Sequence, residues 1–170
     1  MTRPDILQHA WVVPRLDAAI HHWHRTLKVG PFLVNRNLRI SDPLYRGNSR
    51  TVAFSTAVAQ SGSIQIELVE QHDDGPSAFR DTVPAGGTGF HHVAIIAENY
   101  DAALREHAGV EIAAEGRFGD IRFAYLDTSA TLGAMLEILE DGPAIRTFFG
   151  AIRKANERWD GNPATLIREL

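Results

Sequence analysis

Apolar positions along the chain follow two periods in a fixed order, and the order occurs twice. Residues 5 to 13 alternate well enough to predict a strand, and Leu16, Ile20, Trp23 and Leu27 carry helical spacing over 16 to 28. Gly30-Pro31 stops that helix. Strands are predicted at 32 to 40 and 51 to 59 around a polar loop from Ser41 to Arg50, and Ser61-Gly62-Ser63 turns the chain into another at 64 to 70. The series then restarts with a strand at 90 to 97 and a helix from about 100 to 108 ended by Gly109. Strands near 110 to 116, 121 to 127 and 134 to 140 follow, and a final helix is expected through Phe148, Phe149, Ile152 and Trp159, broken by Gly161-Asn162-Pro163.

The two series share more than their order. His9-Ala-Trp-Val-Val opens the first and His92-Val-Ala-Ile-Ile the second. The helices start with Asp17-Ala-Ala-Ile20 and Asp101-Ala-Ala-Leu104, and the last strands are Ile66-Glu-Leu-Val-Glu70 and Leu136-Glu-Ile-Leu-Glu140. The fold class is therefore α+β, built from two diverged copies of strand, helix and three strands. The first βαβββ module takes residues 1–72, a Gly- and Pro-containing linker 73–88, the second module 89–142, and a helical extension 143–170. The extension could cover one end of the sheet, shape a pocket or join two subunits.

Side chains alternate faces along a strand, so His92, Glu67 and Glu137 each stand opposite apolar neighbours, and His9 stands opposite Ala10 and Val12. A sheet packed on helices through its apolar face would turn two imidazoles and two carboxylates to the other side. Such a nitrogen and oxygen donor set suits a divalent first-row metal. A lone strand His or Glu is ordinarily just a polar residue at the solvent side of a sheet. The occurrence of the same arrangement in both modules is what favours a site.

Composition narrows the chemistry. With no cysteine, thiolate nucleophiles, thiolate metal sites and iron–sulfur clusters are excluded, and a reducing cytoplasm is the expected compartment. The formal charge of −4 argues against a nucleic-acid-coating protein. No leader-like apolar region and no membrane-length apolar stretch is present, so neither export nor a membrane is expected. At 170 residues the chain can bury a core without disulfides.

The segments Leu7-Gln-His9-Ala-Trp-Val-Val-Pro-Arg-Leu-Asp17, Ile64-Gln-Ile-Glu67-Leu-Val-Glu, Gly89-Phe-His-His92-Val-Ala-Ile and Met135-Leu-Glu137-Ile-Leu resemble the vicinal oxygen chelate superfamily. That superfamily comprises glyoxalases, extradiol dioxygenases, fosfomycin and bleomycin resistance proteins and methylmalonyl-CoA epimerases. The likeness covers roughly residues 5 to 140 and is nearest in motif to the epimerase and glyoxalase I branches. It implies a cupped mixed sheet with helices on its outer face and a divalent metal (Zn, Ni, Co, Mn or Fe) held by His9, Glu67, His92 and Glu137. It also implies metal-stabilised enolisation of a small anionic oxygenated substrate, such as an acyl-CoA or organic acid, with Glu137 and then Glu67 as proton-moving carboxylates. His91 is expected to face the helix side or the module junction.

One departure stands out. Epimerases of this kind carry a second acid in the first module, whereas residues 30 to 63 here hold only Asp42. Tyr45, Arg46 and Arg50 occupy the region instead, and with Phe123 they are the expected substrate contacts. Arg36 and Arg39 belong to the same basic hairpin, whose guanidinium groups suit carboxylates or phosphates. Phe118 and Tyr125 are further candidates for the pocket wall, whereas His21, His22 and His24 read as an exposed helix face. Two other functions stay open: an extradiol-type dioxygenase using His9, His92 and Glu137, and a non-catalytic binding or resistance protein. A homodimer is the expected assembly.

Overall fold

The structure is a computed structural model describing residues 5–170, so the first four residues of the expected first module lie outside the described residues. Its first half contains β1 (Gln8–Val12), α1 (Leu16–Leu27), β2 (Phe32–Asn35), a hairpin of β3 (Ser41–Tyr45) and β4 (Asn48–Ser49), β5 (Phe54–Ser61) and β6 (Ile64–Gln71). A short helix, α2 (Ala78–Thr82), interrupts the linker. The second half contains β7 (Gly89–Ala97), α3 (Tyr100–Glu106), β8 (Ile112–Phe118), β9 (Ile121–Leu126), α4 (Ser129–Leu132) and β10 (Met135–Glu140). Finally come α5 (Pro143–Glu157), a 3-10 turn at Pro163–Thr165 and β11 (Ile167–Glu169).

All strands join one mixed sheet in the order β11-β2-β5-β6-β1-β7-β10-β9-β8-β3-β4. The halves meet through antiparallel pairing of β1 with β7, within a single chain. In each half the first strand lies parallel to the last, β1 on β6 and β7 on β10, and the crossing helix packs on the outer face. There Leu16 and Ile20 of α1 meet Ala57, Ala59, Ile66 and Leu68, while Tyr100 of α3 meets Ala124, Leu126, Leu136 and Ile138. Intervening positions such as Val58, Val69, Phe123, Tyr125 and Leu139 form the inner core.

Three features are missed or left open by the sequence reading, and each depends on distant partners. The expected loop at Ser41 to Arg50 is the β3-β4 hairpin, which crosses from the first half to pair with the free edge of β8. Gly116 permits that approach, since a Cβ there would lie 2.5 Å from the Ile40 side chain and 3.1 Å from the Ser41 carbonyl. The α5 helix lies on the inner face, with Ile145, Phe149 and Ile152 among Val12, Leu33, Val58 and Leu139. Beyond it the chain turns the sheet edge, where Asn156 Nδ2 donates to the Gly30 carbonyl at 2.8 Å. Trp159 and Leu166 then join the outer core, and β11 adds to β2.

Candidate functional site

Strand register places the central side chains. On β1, Ala10 is paired with Glu67 of β6 and His92 of β7, and Gln8 with Ala94. Ala94 is also paired with Glu137 of β10. Side chains of laterally paired residues share a face, so Gln8, Glu67, His92 and Glu137 point to the inner side. His9 is paired with Ile66 and Val93 and points outward. There its ring lies 5.9 Å from Phe90 and 6.3 Å from Trp11. His9 therefore does not share the inner face with Glu67, His92 and Glu137, and Gln8 does, because a one-residue step along a strand exchanges faces.

The repeat contained this result. Gln8 stands nine residues before Asp17, as His92 stands nine before Asp101, whereas His9 stands only eight before. Counting back from the Asp-Ala-Ala helix start identifies the structural counterpart, while matching histidine to histidine misses it.

At the centre, His92 is fully buried and its Nε2 lies 3.2 Å from Glu137 Oε2 and 3.3 Å from Glu67 Oε2. No hydrogen bond of acceptable geometry reaches that nitrogen. Its other ring nitrogen is held by a relay. His91 Nε2 lies 3.0 Å from the carbonyl oxygen of Ala78 in α2, which can only accept, so this nitrogen carries the hydrogen. Burial first, and then the neighbouring His92, push the His91 imidazole down to about 3 and keep it neutral, leaving its Nδ1 bare. His92 Nδ1 therefore donates across 2.7 Å to His91 Nδ1, whether or not His92 is charged. Its Nε2 is the atom free to hold either a proton or a metal. Sequence reasoning gave His91 no role, and the carbonyl that orients it lies in a helix hidden by the linker's Gly and Pro content.

Burial by itself would lower His92, but Glu137 and Glu67 outweigh it and raise the imidazole to about 9. Burial likewise raises the carboxyl of Glu67, with His92 opposing. Tyr125, whose ring centroid is 4.9 Å from that of His92, is held well above an ordinary phenol by burial and then by Glu137 and Glu67. It remains a protonated hydrogen-bond donor at the site.

Among the described residues no three His, Asp or Glu side chains form a ready-spaced metal centre. The fit to a metal lies in donor chemistry: one imidazole nitrogen lacking a hydrogen-bond partner, two carboxylates and an amide. Gln8 Nε2 donates to Gln65 Oε1 at 3.4 Å, and its own amide oxygen takes no hydrogen bond among the described residues. Hard oxygen donors with one imidazole suit a divalent first-row ion.

Gln8, Glu67 and Glu137 line a cavity of about 500 Å³, with His92 buried behind the carboxylates. Of the expected substrate contacts, Tyr45, Arg50 and Phe123 line this cavity. The Tyr45 hydroxyl already donates to Asp81 Oδ1 at 2.8 Å. The expectation for Arg46 is corrected. Its guanidinium is drawn into an ion-pair cluster with Asp81, Glu111 and Asp127 and is absent from the cavity wall. Those acids come from three separate segments, so sequence spacing could not reveal them.

A twice-repeated strand, helix and three strands in one mixed sheet, curled about an inner cavity, is the vicinal oxygen chelate fold. A sequence profile of the Glyoxalase/Bleomycin resistance protein/Dioxygenase superfamily matches residues 7–125, and the chain belongs to that superfamily. Several solved structures share its fold. A methylmalonyl-CoA epimerase in complex with methylmalonyl-CoA and NH4+ aligns with TM-score 0.53 and 16% identity, over 82% of this chain and 96% of that one. The methylmalonyl-CoA epimerase of Mycobacterium tuberculosis gives 0.53 and 19%, over 84% and 91%. A hypothetical protein from Bacillus halodurans C-125 gives 0.58 and 20%, over 83% and 96%. No curated protein matches the sequence.

Proposed function

We propose that the protein is a divalent-metal-dependent isomerase or lyase of the epimerase and glyoxalase kind, acting on a small-molecule anionic oxygenated substrate. The observation that carries this reading is the buried Nε2 of His92, outside hydrogen-bond geometry yet within 3.3 Å of two carboxylates, on the floor of an apolar cavity. Gln8, Glu67, His92 and Glu137 are the residues that would hold the ion. When bound, the ion would supply Lewis-acid stabilisation of negative charge developing on a substrate oxygen.

The chain's own residues account for the rest. Glu137 is assigned the role of base for a proton next to the substrate carbonyl, and Glu67, whose carboxyl is raised by burial, the role of returning one. Tyr125 keeps its hydrogen and can donate it to a developing oxyanion. Apolar walls exclude water from the reacting atoms. The missing second acid of the first module is offset in this reading by a carboxylate at position 67. An outward His9 counts against the extradiol alternative, which needs two imidazoles at the centre.

Elemental analysis of protein purified without chelator, followed by deuterium exchange at the α-carbon of enolisable acids and thioesters in D2O, tests the proposal. About one divalent ion per chain and catalysed exchange are expected, both abolished in folded His92→Ala, with metal affinity lowered and exchange greatly slowed in Glu137→Gln. Absence of metal after reconstitution with several divalent ions would replace it with the binding-protein reading. The homodimer is proposed on assembly statistics alone. Among the described residues no helix is long and apolar enough to cross a membrane.

A further inference from the structure

We infer that the molecule taken into the cavity is an amphipathic acid, with most of its bulk an apolar body of aryl or alicyclic size. This rests on the proposed function for the placement of its oxygenated head, and deepens it by naming the substrate class. The first observation is size. A cavity of about 500 Å³ lies within the range that accepts ligands of roughly drug size, well beyond what a three- or four-carbon acid would fill.

The second observation is the distribution of polarity. Glu67, Glu137 and Gln8 gather on β6, β10 and β1, whereas Phe118 and Phe123 on the neighbouring strands and Ile145, Phe148 and Phe149 of α5 line the cavity with apolar surface. Phe118 and Phe148 are half-buried and meet edge to face with ring centroids 6.1 Å apart, and the Phe149 ring lies 6.2 Å from that of Phe148. Ile145, Phe148 and Phe149 belong to α5, outside the residues matched by the superfamily profile. An apolar lining from the C-terminal helix favours a ligand with an apolar body.

The third observation is charge. Arg50 lines the cavity, half-buried, with its Nε donating to the Pro76 carbonyl. No carboxylate lies within ion-pair distance of its guanidinium among the described residues, although Asp73 is near enough to feel its charge. Arg46, four residues away, is by contrast saturated by acids. A guanidinium on a lining residue, held by a backbone carbonyl and outside ion-pair distance of any carboxylate among the described residues, is suited to the acidic group of a ligand.

Methylmalonate and benzylmalonate are the probes, because they carry the same two carboxylates and differ by one phenyl ring. Calorimetric titration is run on the manganese-loaded and the metal-free full chain. Benzylmalonate is expected to bind at least about tenfold more tightly in wild type, the order expected from burying a phenyl ring. That ratio should fall towards one in Phe148→Ala and in Ala114→Phe, the second of which fills space on β8 without removing a core group. Arg50→Gln should weaken both probes by a similar factor and leave the ratio unchanged. Equal affinities of the two probes in wild type, or unaltered binding in Arg50→Gln, would overturn the inference. A protein that takes up no manganese but keeps the ratio would overturn the metal reading while leaving the substrate class in place.

Discussion

Gln8 and His9 illustrate how narrowly a strand assigns roles. Adjacent on β1, they point to opposite faces, one toward two carboxylates and one toward Trp11 and Phe90. Gln8→Ala is expected to weaken zinc or manganese binding by at least about tenfold, one donor being lost, while His9→Ala leaves it within about twofold. Competition titration against a chromophoric chelator measures both. His92 adds a pH signature. In the metal-free protein its imidazole is raised from 6.5 to about 9, so folding binds a proton that the unfolded chain releases sooner. The resulting stabilisation is complete below pH 6.5 and disappears as pH rises through about 9, and the raised Glu67 carboxyl works in the same direction. The melting temperature of the metal-free protein should therefore fall between pH 6.5 and 9. Since metal and proton compete for the same Nε2, metal affinity should rise over that interval. A melting temperature that climbs from pH 6.5 to 9 would contradict the assigned proton.

Elements outside the repeat shape the cavity. Ile152 of α5 is fully buried against the inner face, and Ile152→Ala is expected to cost about 2–5 kcal/mol in denaturant unfolding. The hairpin is held differently. Beyond its ladder to β8, it is held through Arg46, whose side chain is only 28% exposed among three carboxylates. Arg46→Gln leaves Asp81, Glu111 and Asp127 without their shared cation, and is expected to lower stability by about 1–3 kcal/mol with metal binding unchanged. Loss of substrate-analogue binding in that folded variant would return Arg46 to the site as the substrate contact first expected. Neither element could be placed from sequence. The α5 stripe of Ile145, Phe149 and Ile152 shows that the helix buries one face, without saying which face of which sheet covers it. The hairpin's strand character comes from the open edge of β8, not from its own residues.

For the whole molecule, the β1–β7 pairing brings one carboxylate from each half to one imidazole within a single chain. Metal titration is accordingly expected to saturate at about one ion per chain whatever the oligomeric state, measured by elemental analysis across a dilution series. Half-stoichiometry would point to a site shared between chains. The sequence by itself determined the repeat, the α+β class, the superfamily, and the carboxylates and imidazole at 67, 92 and 137, because period-two and helical patterning and twice-used spacings are local properties. Only the tertiary structure decided that Gln8 completes the floor, that His91 orients His92 through Ala78, that Arg46 is spent on acids, and that α5 closes the cavity. Those outcomes depend on register and on contacts between residues far apart in the chain, which no local pattern encodes.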